Sequence, residues 1–423
     1  MLQVVQAAVA GVCAGRVIER AVSLPGIGDW LLGAPIHVIA VGKAAPAMAT
    51  ALLARPQVRA RTALAIGTHA APHMPASLRF VAAGHPFPDA HSRAAARAAL
   101  EIASRVPADG HLVLLVSGGA SSLMADAADG LPFEAKLAAS RALMLAGADI
   151  HQLNALRKHL STVKGGRLAA ACMGATTTLA LSDVVGDDLS VIGSGPGIPD
   201  PSTWEDVARA LEACGAWDAV PAEVRTRVEA GCRGTVEETP KPDVPDLARA
   251  SGVVIGGAGH ALEAAGSAAE ALGYAVITMP DRVTGEAREV GPRWLDCALA
   301  LARRQGRQVC VLSSGETTVR VRGDGVGGRN LEFMLALVEP MRDLPGVMAA
   351  SLGTDGVDGR SDVAGAMVDG TTWRRAAARG LPPVQAVLDR NDSYHFFSPL
   401  GDTLRTGRTD TNVGDVQVLL VHP

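Results

Sequence analysis

The sequence predicts an α/β protein of two domains, each a three-layer α/β/α sandwich around a mainly parallel sheet, with the N-terminal domain Rossmann-like. Three observations carry this. Short apolar, β-branched runs alternate with alanine-rich helical stretches along nearly the whole chain, the pattern of repeated βα units. Several of these runs end in glycine-dense polar turns, as strands do where open α/β sheets hold ligands. Between about residues 233 and 249 proline and charge interrupt the alternation, which gives domains of 1–240 and 250–423. With 423 residues, 48% of them hydrophobic, the chain is long enough for two cores.

Residues 1–15 are mildly apolar and lack a basic leader, and Arg16, Glu19 and Arg20 follow at once. An amphipathic helix is expected there rather than a signal peptide. Residues 36–41 read as a strand, Gly42-Lys43-Ala44-Ala45-Pro46 as a tight turn, and a helical pattern follows from Ala47. Lys43 therefore stands at the carboxyl end of a strand. A lysine there is informative, because the chain has only five among its 39 basic residues. Strands are expected at 63–67 and 79–83. The turn Gly84-His85-Pro86-Phe87-Pro88-Asp89 is stiffened by two prolines, and Asp89 or Ser92 caps a helix over 93–105.

Residues 111–116 are a buried strand that runs straight into Ser117-Gly118-Gly119-Ala120-Ser121-Ser122. Small residues after a strand let backbone N–H groups and hydroxyls surround a phosphate or carboxylate. The loop lacks the Gly-Lys-Ser/Thr ending of a Walker A motif. Residues 154–167 are the densest basic stretch, and Lys164-Gly165-Gly166-Arg167 opens another helix, again a place that favours an anion. A strand at 176–181 leads to Asp183, Asp187 and Asp188, carboxylates that either serve a hard cation or form turns. Ser202 or Thr203 caps the helix that follows.

In the second half, a strand at 251–255 precedes Gly257-x-Gly259-x-x-Leu262, one glycine short of the dinucleotide fingerprint. Asp281, after the strand at 275–279, stands where a ribose-binding acid would lie. That leaves open an NAD(P)H-dependent reductase. A strand at 308–312 leads to a bend carrying Glu316, with a second strand at 319–321. Gly325-Val326-Gly327-Gly328-Arg329-Asn330 precedes a helix over 331–338. The strand at 347–352 feeds Gly353-Thr354-Asp355-Gly356 and Asp358, and a last strand occupies 416–421. Arg329 and Asn330 supply a guanidinium and an amide, and Asp355 and Asp358 supply carboxylates on a glycine-rich backbone. Such loops suit phosphate and a metal ion held close to main chain.

Composition excludes several classes. Net charge is −4 and aromatic residues are 3%, so neither counterion release nor base stacking favours nucleic acid. No apolar run reaches the ~18–20 residues of a membrane span. The six cysteines form no Cys-x-x-Cys pair and read as reduced thiols, which fits a cytoplasmic protein.

Taken together, Val41-Gly-Lys-Ala-Ala-Pro46, Gly84-His-Pro86, Val116-Ser-Gly-Gly-Ala-Ser121, Lys164-Gly-Gly-Arg167, Ser182-Asp-Val184, Gly328-Arg-Asn330, Gly353-Thr-Asp-Gly-Val-Asp-Gly359 and Thr411-Asn412 resemble the class II D-glycerate 2-kinases, whose C-terminal part is the MOFRL domain. The resemblance runs in order over nearly the whole chain. It departs at Leu331, where the family pattern has a polar residue before Glu332. It implies ATP-dependent phosphorylation of D-glycerate at the 2-hydroxyl with Mg²⁺, in a cleft between the domains. By match of motif, Lys43 and Arg329 are the catalytic cations, and Glu316, Asp355 and Asn412 line the same site with Asn330. Asp355 orients or deprotonates the hydroxyl, or holds the metal. The Ser117–Ser122 loop, through Ser117, Gly118, Gly119, Ser121 and Ser122, binds a phosphate tail or the glycerate carboxylate together with Lys164 and Arg167. Asp183 and Asp187 are the candidate metal ligands. The expected partners are ATP and a small acid, without nucleic acid or membrane, for a monomer or homodimer.

Overall fold

The computed structural model describes residues 1–422. It divides into two compact units, Val17–Ile255 and a second formed by Met1–Arg16 with the chain from Gly256 onward.

The first unit holds a six-stranded sheet: β1 (Pro35–Val41), β2 (Arg59–Gly67), β3 (Arg79–Ala82), β4 (His111–Val116), β5 (Ala175–Leu181) and β6 (Ala250–Gly256), in the order β3-β2-β1-β4-β5-β6. β1 to β5 pair in parallel. This is the doubly wound order, in which the chain reverses its direction of travel across the sheet between β1 and β4, and ligands bind beyond the carboxyl ends at that point. Six of the seven β1 residues and five of the six β4 residues are buried, which is why both read as unbroken apolar runs. Ile39, Val41, Leu64, Ile66, Leu114 and Val116 pack with Ala95, Ala96 and Ala99 of the Ala90–Ser104 helix. Asp89 and Ser92 cap that helix together: Asp89 accepts from the Ser92 N–H, and the Ser92 hydroxyl accepts from the Asp89 N–H. Thr203 caps the Trp204–Ala213 helix in the same way with Asp206.

The second unit holds β7 (Ala275–Thr278), β8 (Val283–Glu286), β9 (Val309–Thr318), β10 (Val347–Gly353), β11 (Gly365–Asp369), β12 (Thr403–Leu404) and β13 (Asp415–Val421), in the order β12-β11-β10-β13-β9-β7, with β8 also on β9. This sheet corrects the expectation of a mainly parallel one. β10–β11, β11–β12, β10–β13 and β13–β9 are antiparallel, and only β7 and β8 run parallel to β9. The last strand enters between β9 and β10 and runs against both. No helix separates β10 from β11, so the chain returns antiparallel. Hydrophobic pattern dictates burial, not strand direction.

Three further expectations change. β6 belongs to the first sheet rather than to the second domain, as the Thr176 N–H bond to the Arg249 carbonyl beside it also shows (3.0 Å). β6, the following helix (Ala258–Ala271) and β7 therefore do not form a βαβ unit in one sheet, the context that a dinucleotide fingerprint needs. The first helix (Leu2–Gly11) packs on that Ala258–Ala271 helix within the second unit, where a Cβ on Gly11 would overlap Ala264. Finally, β9 continues through Ser313-Ser314-Gly315-Glu316, so Glu316 lies on a strand rather than a bend, and residues 319–321 lie outside it. The strand tolerates buried Ser313 because its hydroxyl accepts from Trp294 Nε1 (2.8 Å) and donates to Gln417 Oε1 (3.1 Å). Among the described residues no single helix is long and apolar enough to cross a membrane.

Candidate active site

In the first unit the Lys43 turn and the Ser117 loop lie side by side where β1 and β4 end. Val41 and Val116 are in register, so the two exits are adjacent. The Ser117 N–H donates to the Val41 carbonyl (3.0 Å), the Lys43 N–H to the Gly118 carbonyl (2.9 Å), and the Ala44 N–H to Ser117 Oγ (3.1 Å). Gly42 has φ +133°, and a Cβ there would overlap the Ser117 hydroxyl, so only glycine lets the turns approach. A Cβ on Gly119 would meet His85 at 3.0 Å and the Lys43 side chain at 3.4 Å, which places Lys43, His85 and Gly119 around one point. Burial, then the neighbouring Lys43 charge, holds His85 below the usual imidazole range, so it is neutral at pH 7.

Ser121 hydrogen-bonds Ser194, which donates to Asn154 (2.9 Å), and Ser122 Oγ donates to the Gly119 carbonyl (3.0 Å). Lys164 is fully buried. Its ammonium donates to the Ser121 and Met124 carbonyls at 2.8 and 3.1 Å, which ties the loop down. Burial, and then the like charges of Lys136 and Arg157, push its amine well below the usual lysine range. Arg167 has a different place. Left-handed Gly165 and Gly166 (φ +56° and +80°) separate it from Lys164, and its Nη2 reaches the Glu238 carbonyl (3.4 Å) amid Arg227, Glu237 and Asp200. Asp183 is half-buried and Asp187 exposed on the turn after β5. Among the described residues no group of three or more His, Cys, Asp or Glu side chains forms a metal cage.

In the second unit the organising residue is Asp415, which the sequence reading passed over. It opens β13 and is fully buried, with Gly315 of β9 and Gly353 of β10 as its register partners. A Cβ on Gly315 would overlap Val283, and Gly353 lies against Asn330, which with Arg329 opens the Arg329–Leu335 helix. Arg329 grips Asp415 through Nε (2.7 Å) and Nη2 (2.9 Å), and its Nη1 reaches Glu316 (2.6 Å). Burial alone would lower the guanidinium pKa, but Asp415 and then Glu316 raise it above its usual range. Burial pushes the Asp415 carboxyl up to about 6, with the Arg329 charge pulling it back, so the pair is ionised at pH 7.

Asn330 donates to Asp415 (3.0 Å) and accepts from Ser351 (2.5 Å). Asp358, named from sequence for its carboxylate, is a buried anchor instead. It accepts the Asn330 and Leu331 N–H groups at 3.1 and 2.8 Å. Burial pushes it up to about 7 against those bonds. Leu331 is accordingly a core residue. Asp355 is half-buried, and the Val357 N–H donates to it (3.2 Å). A Cβ on Gly353 would lie 3.2 Å from Asp355, 3.5 Å from Asn330 and 3.5 Å from Asp415, so these three polar groups converge. Thr354 bonds the Gly414 carbonyl (2.7 Å) and the Val413 N–H (2.9 Å), which fastens the segment carrying Asn412 to the Asp355 loop. The unit thus presents a fixed guanidinium, a buried amide and a less buried carboxylate. The chemistry available is anion recognition with a nearby proton acceptor.

Residues 1–229 match the domain of unknown function DUF4147, and residues 309–415 match the MOFRL family. The chain is 37% identical to glycerate 2-kinase of Pyrococcus horikoshii over 391 residues, covering 91% of this chain and 87% of that one. It is also 37% identical to a putative hydroxypyruvate reductase of Agrobacterium vitis, over 91% of this chain and 86% of that one. The crystal structure of glycerate kinase from Thermotoga maritima superposes with a TM-score of 0.86 at 32% identity, covering 99% of this chain and 97% of that chain.

Proposed function

The chain belongs to the glycerate kinase family, and from that premise we propose that it transfers the γ-phosphoryl group of ATP to the 2-hydroxyl of D-glycerate, giving 2-phosphoglycerate and ADP. The observation that carries the reading is the Arg329–Asp415 pair beside Asn330 and Asp355, a preset cation next to a carboxylate. Phosphoryl transfer needs positioning and charge neutralisation more than covalent chemistry. Lys43 and Arg329 supply that charge to the transferring oxygens, Lys43 as a point charge and Arg329 as a planar fork. Asp355 orients the 2-hydroxyl and accepts its proton, while Asn330 and Asn412 position the acid. Backbone N–H groups and hydroxyls of residues 117–122 meet the phosphate chain. Lys164 holds that loop through two N–H donors.

Two carboxylates on a glycine-containing turn, Asp183 and Asp187, suit Mg²⁺, which keeps several waters and takes its remaining ligands from substrate phosphates. When bound, the ion neutralises charge on the β- and γ-oxygens. All six cysteines are free, as a reducing cytoplasm would keep them. The reductase alternative loses its footing because β6 and β7 lie in different sheets. The test is Lys43→Ala and Arg329→Ala in a coupled ADP-release assay. Each variant is expected to lose kcat by roughly 10²–10³-fold, the scale of one removed transition-state donor. Near-normal kcat in both would refute the assignment.

A further inference from the structure

A cavity of about 670 Å³ opens within the first unit, with His85, Gly119, Ser121 and Ser122 on the side nearest Lys43. Four cations line the rest, Lys136, Arg141, Arg157 and Lys164, and no carboxylate is among the described lining residues. Lys136 and Lys164 are almost wholly buried. Asp126, the acid that acts on Lys136, gives its carboxylate to Arg93 (2.9 Å) and Arg97 (2.8 Å) and only its carbonyl to the Lys136 amine (2.5 Å). Lys164 experiences Lys136 and Arg157 as like charges. Burial lowers the Lys136 amine to about 7. Basic groups crowded in a buried wall, with the one nearby carboxylate held by two arginines, are costly as charges unless an anion completes them.

The remaining wall is apolar. Phe87 and Met144 line the cavity with Leu137, yet Phe87 is 68% exposed and Met144 44% exposed, in a chain with few aromatic residues. Large exposed apolar side chains at a basic cavity suit a ligand with one flat apolar part and one polyanionic part. Size agrees. The volume lies in the 300–1,000 Å³ range of sites for larger ligands, and a three-carbon acid would leave most of it empty.

We propose that this cavity is the nucleoside triphosphate site, with the phosphate chain on Lys136, Arg157 and Lys164, Arg141 at the rim, and the base against Phe87, Leu137 and Met144. The assignment rests on the kinase reading above. It adds a base-stacking residue, Phe87, and the cations Lys136, Arg141 and Arg157, none of which a motif match supplied.

The test is equilibrium titration of the full-length protein with ATP and, separately, with inorganic tripolyphosphate. Wild type is compared with Phe87→Ala and Arg141→Ala, both at exposed positions where folding is retained. Arg141→Ala is expected to weaken both ligands about tenfold, the scale of one charge-assisted hydrogen bond at an exposed site. Phe87→Ala is expected to weaken ATP by about the same factor, the scale of one lost base–aromatic stack, and to leave tripolyphosphate unchanged. The KM for D-glycerate should not move in either variant. Unchanged ATP affinity in both variants would overturn the proposal, as would a raised KM for D-glycerate alone, which would give the cavity to the acid. Binding is read without an acceptor. A protein that binds ATP in this pattern yet transfers nothing to D-glycerate would uphold the cavity and overturn the acceptor.

Discussion

Replacing Asp415 with Asn removes one charge from a fully buried side chain whose Oδ1 accepts from Arg329 Nη2 (2.9 Å) and Asn330 Nδ2 (3.0 Å) and whose Oδ2 pairs as an ion with Arg329 Nε (2.7 Å). Asn keeps one acceptor and turns an N–H₂ group toward a guanidinium N–H. At least one charge-assisted bond is lost, worth about 1.5–3 kcal/mol. The Arg329 side chain is 30% exposed and retains Glu316, so the lower part of that range applies, about 1.5–2 kcal/mol. If the loss falls on the transition state, kcat drops by about 10–30-fold with little change in KM. The assay is ADP release at saturating substrates for wild type, Asp415→Asn, Arg329→Ala and the double variant. If Asp415 acts through Arg329, the double variant is no slower than Arg329→Ala alone. Losses that multiply would overturn this coupling, because Asp415 would then act on the reaction by another route.

Glu316→Gln tests the other end of the clamp. Glu316 is 54% exposed, and such pairs contribute less than about 1 kcal/mol, so kcat should fall less than fivefold; a loss as large as that of Asp415→Asn would make Glu316 the true anchor. Asp358→Asn tests the buried carboxylate beneath the helix. Its folded-state pKa of about 7 lies above the ordinary value of about 3.9, so its contribution is full below that lower value and is lost as pH rises through 7, up to about 4 kcal/mol. The variant cannot ionise, and its Tm should vary less than wild type's between pH 5 and 8. An equally steep Tm profile would contradict the buried-charge account.

Where a site depends on a strand and the turn leaving it, the sequence was readable. The apolar run before Gly42-Lys43 and the run before Ser117-Gly118-Gly119 each announce a buried strand and a tight exit. What periodicity could not say is that β1 and β4 are neighbours at the reversal point of the sheet. Asp415 was invisible for a similar reason. Its local signal is one carboxylate ahead of an apolar run, and its meaning comes from Arg329, 86 positions away. Ser313-Ser-Gly-Glu reads as a bend because polar residues suggest exposure, whereas Trp294 and Gln417 satisfy Ser313 inside a continuous strand. Arg167 read as an anion donor from two glycines, but those glycines are left-handed and give it to Glu238. The first helix and β6 each joined the unit that sequence order did not suggest, since pairing, not proximity in the chain, decides membership.

The reaction is defined by one oxygen atom. Purified protein incubated with D-glycerate, ATP and Mg²⁺, with the product identified by phosphorus NMR, should yield the resonance of 2-phosphoglycerate alongside ADP. A resonance of 3-phosphoglycerate would contradict the assigned position. The absence of phosphoryl transfer, with NADH oxidised on hydroxypyruvate instead, would contradict the reaction itself.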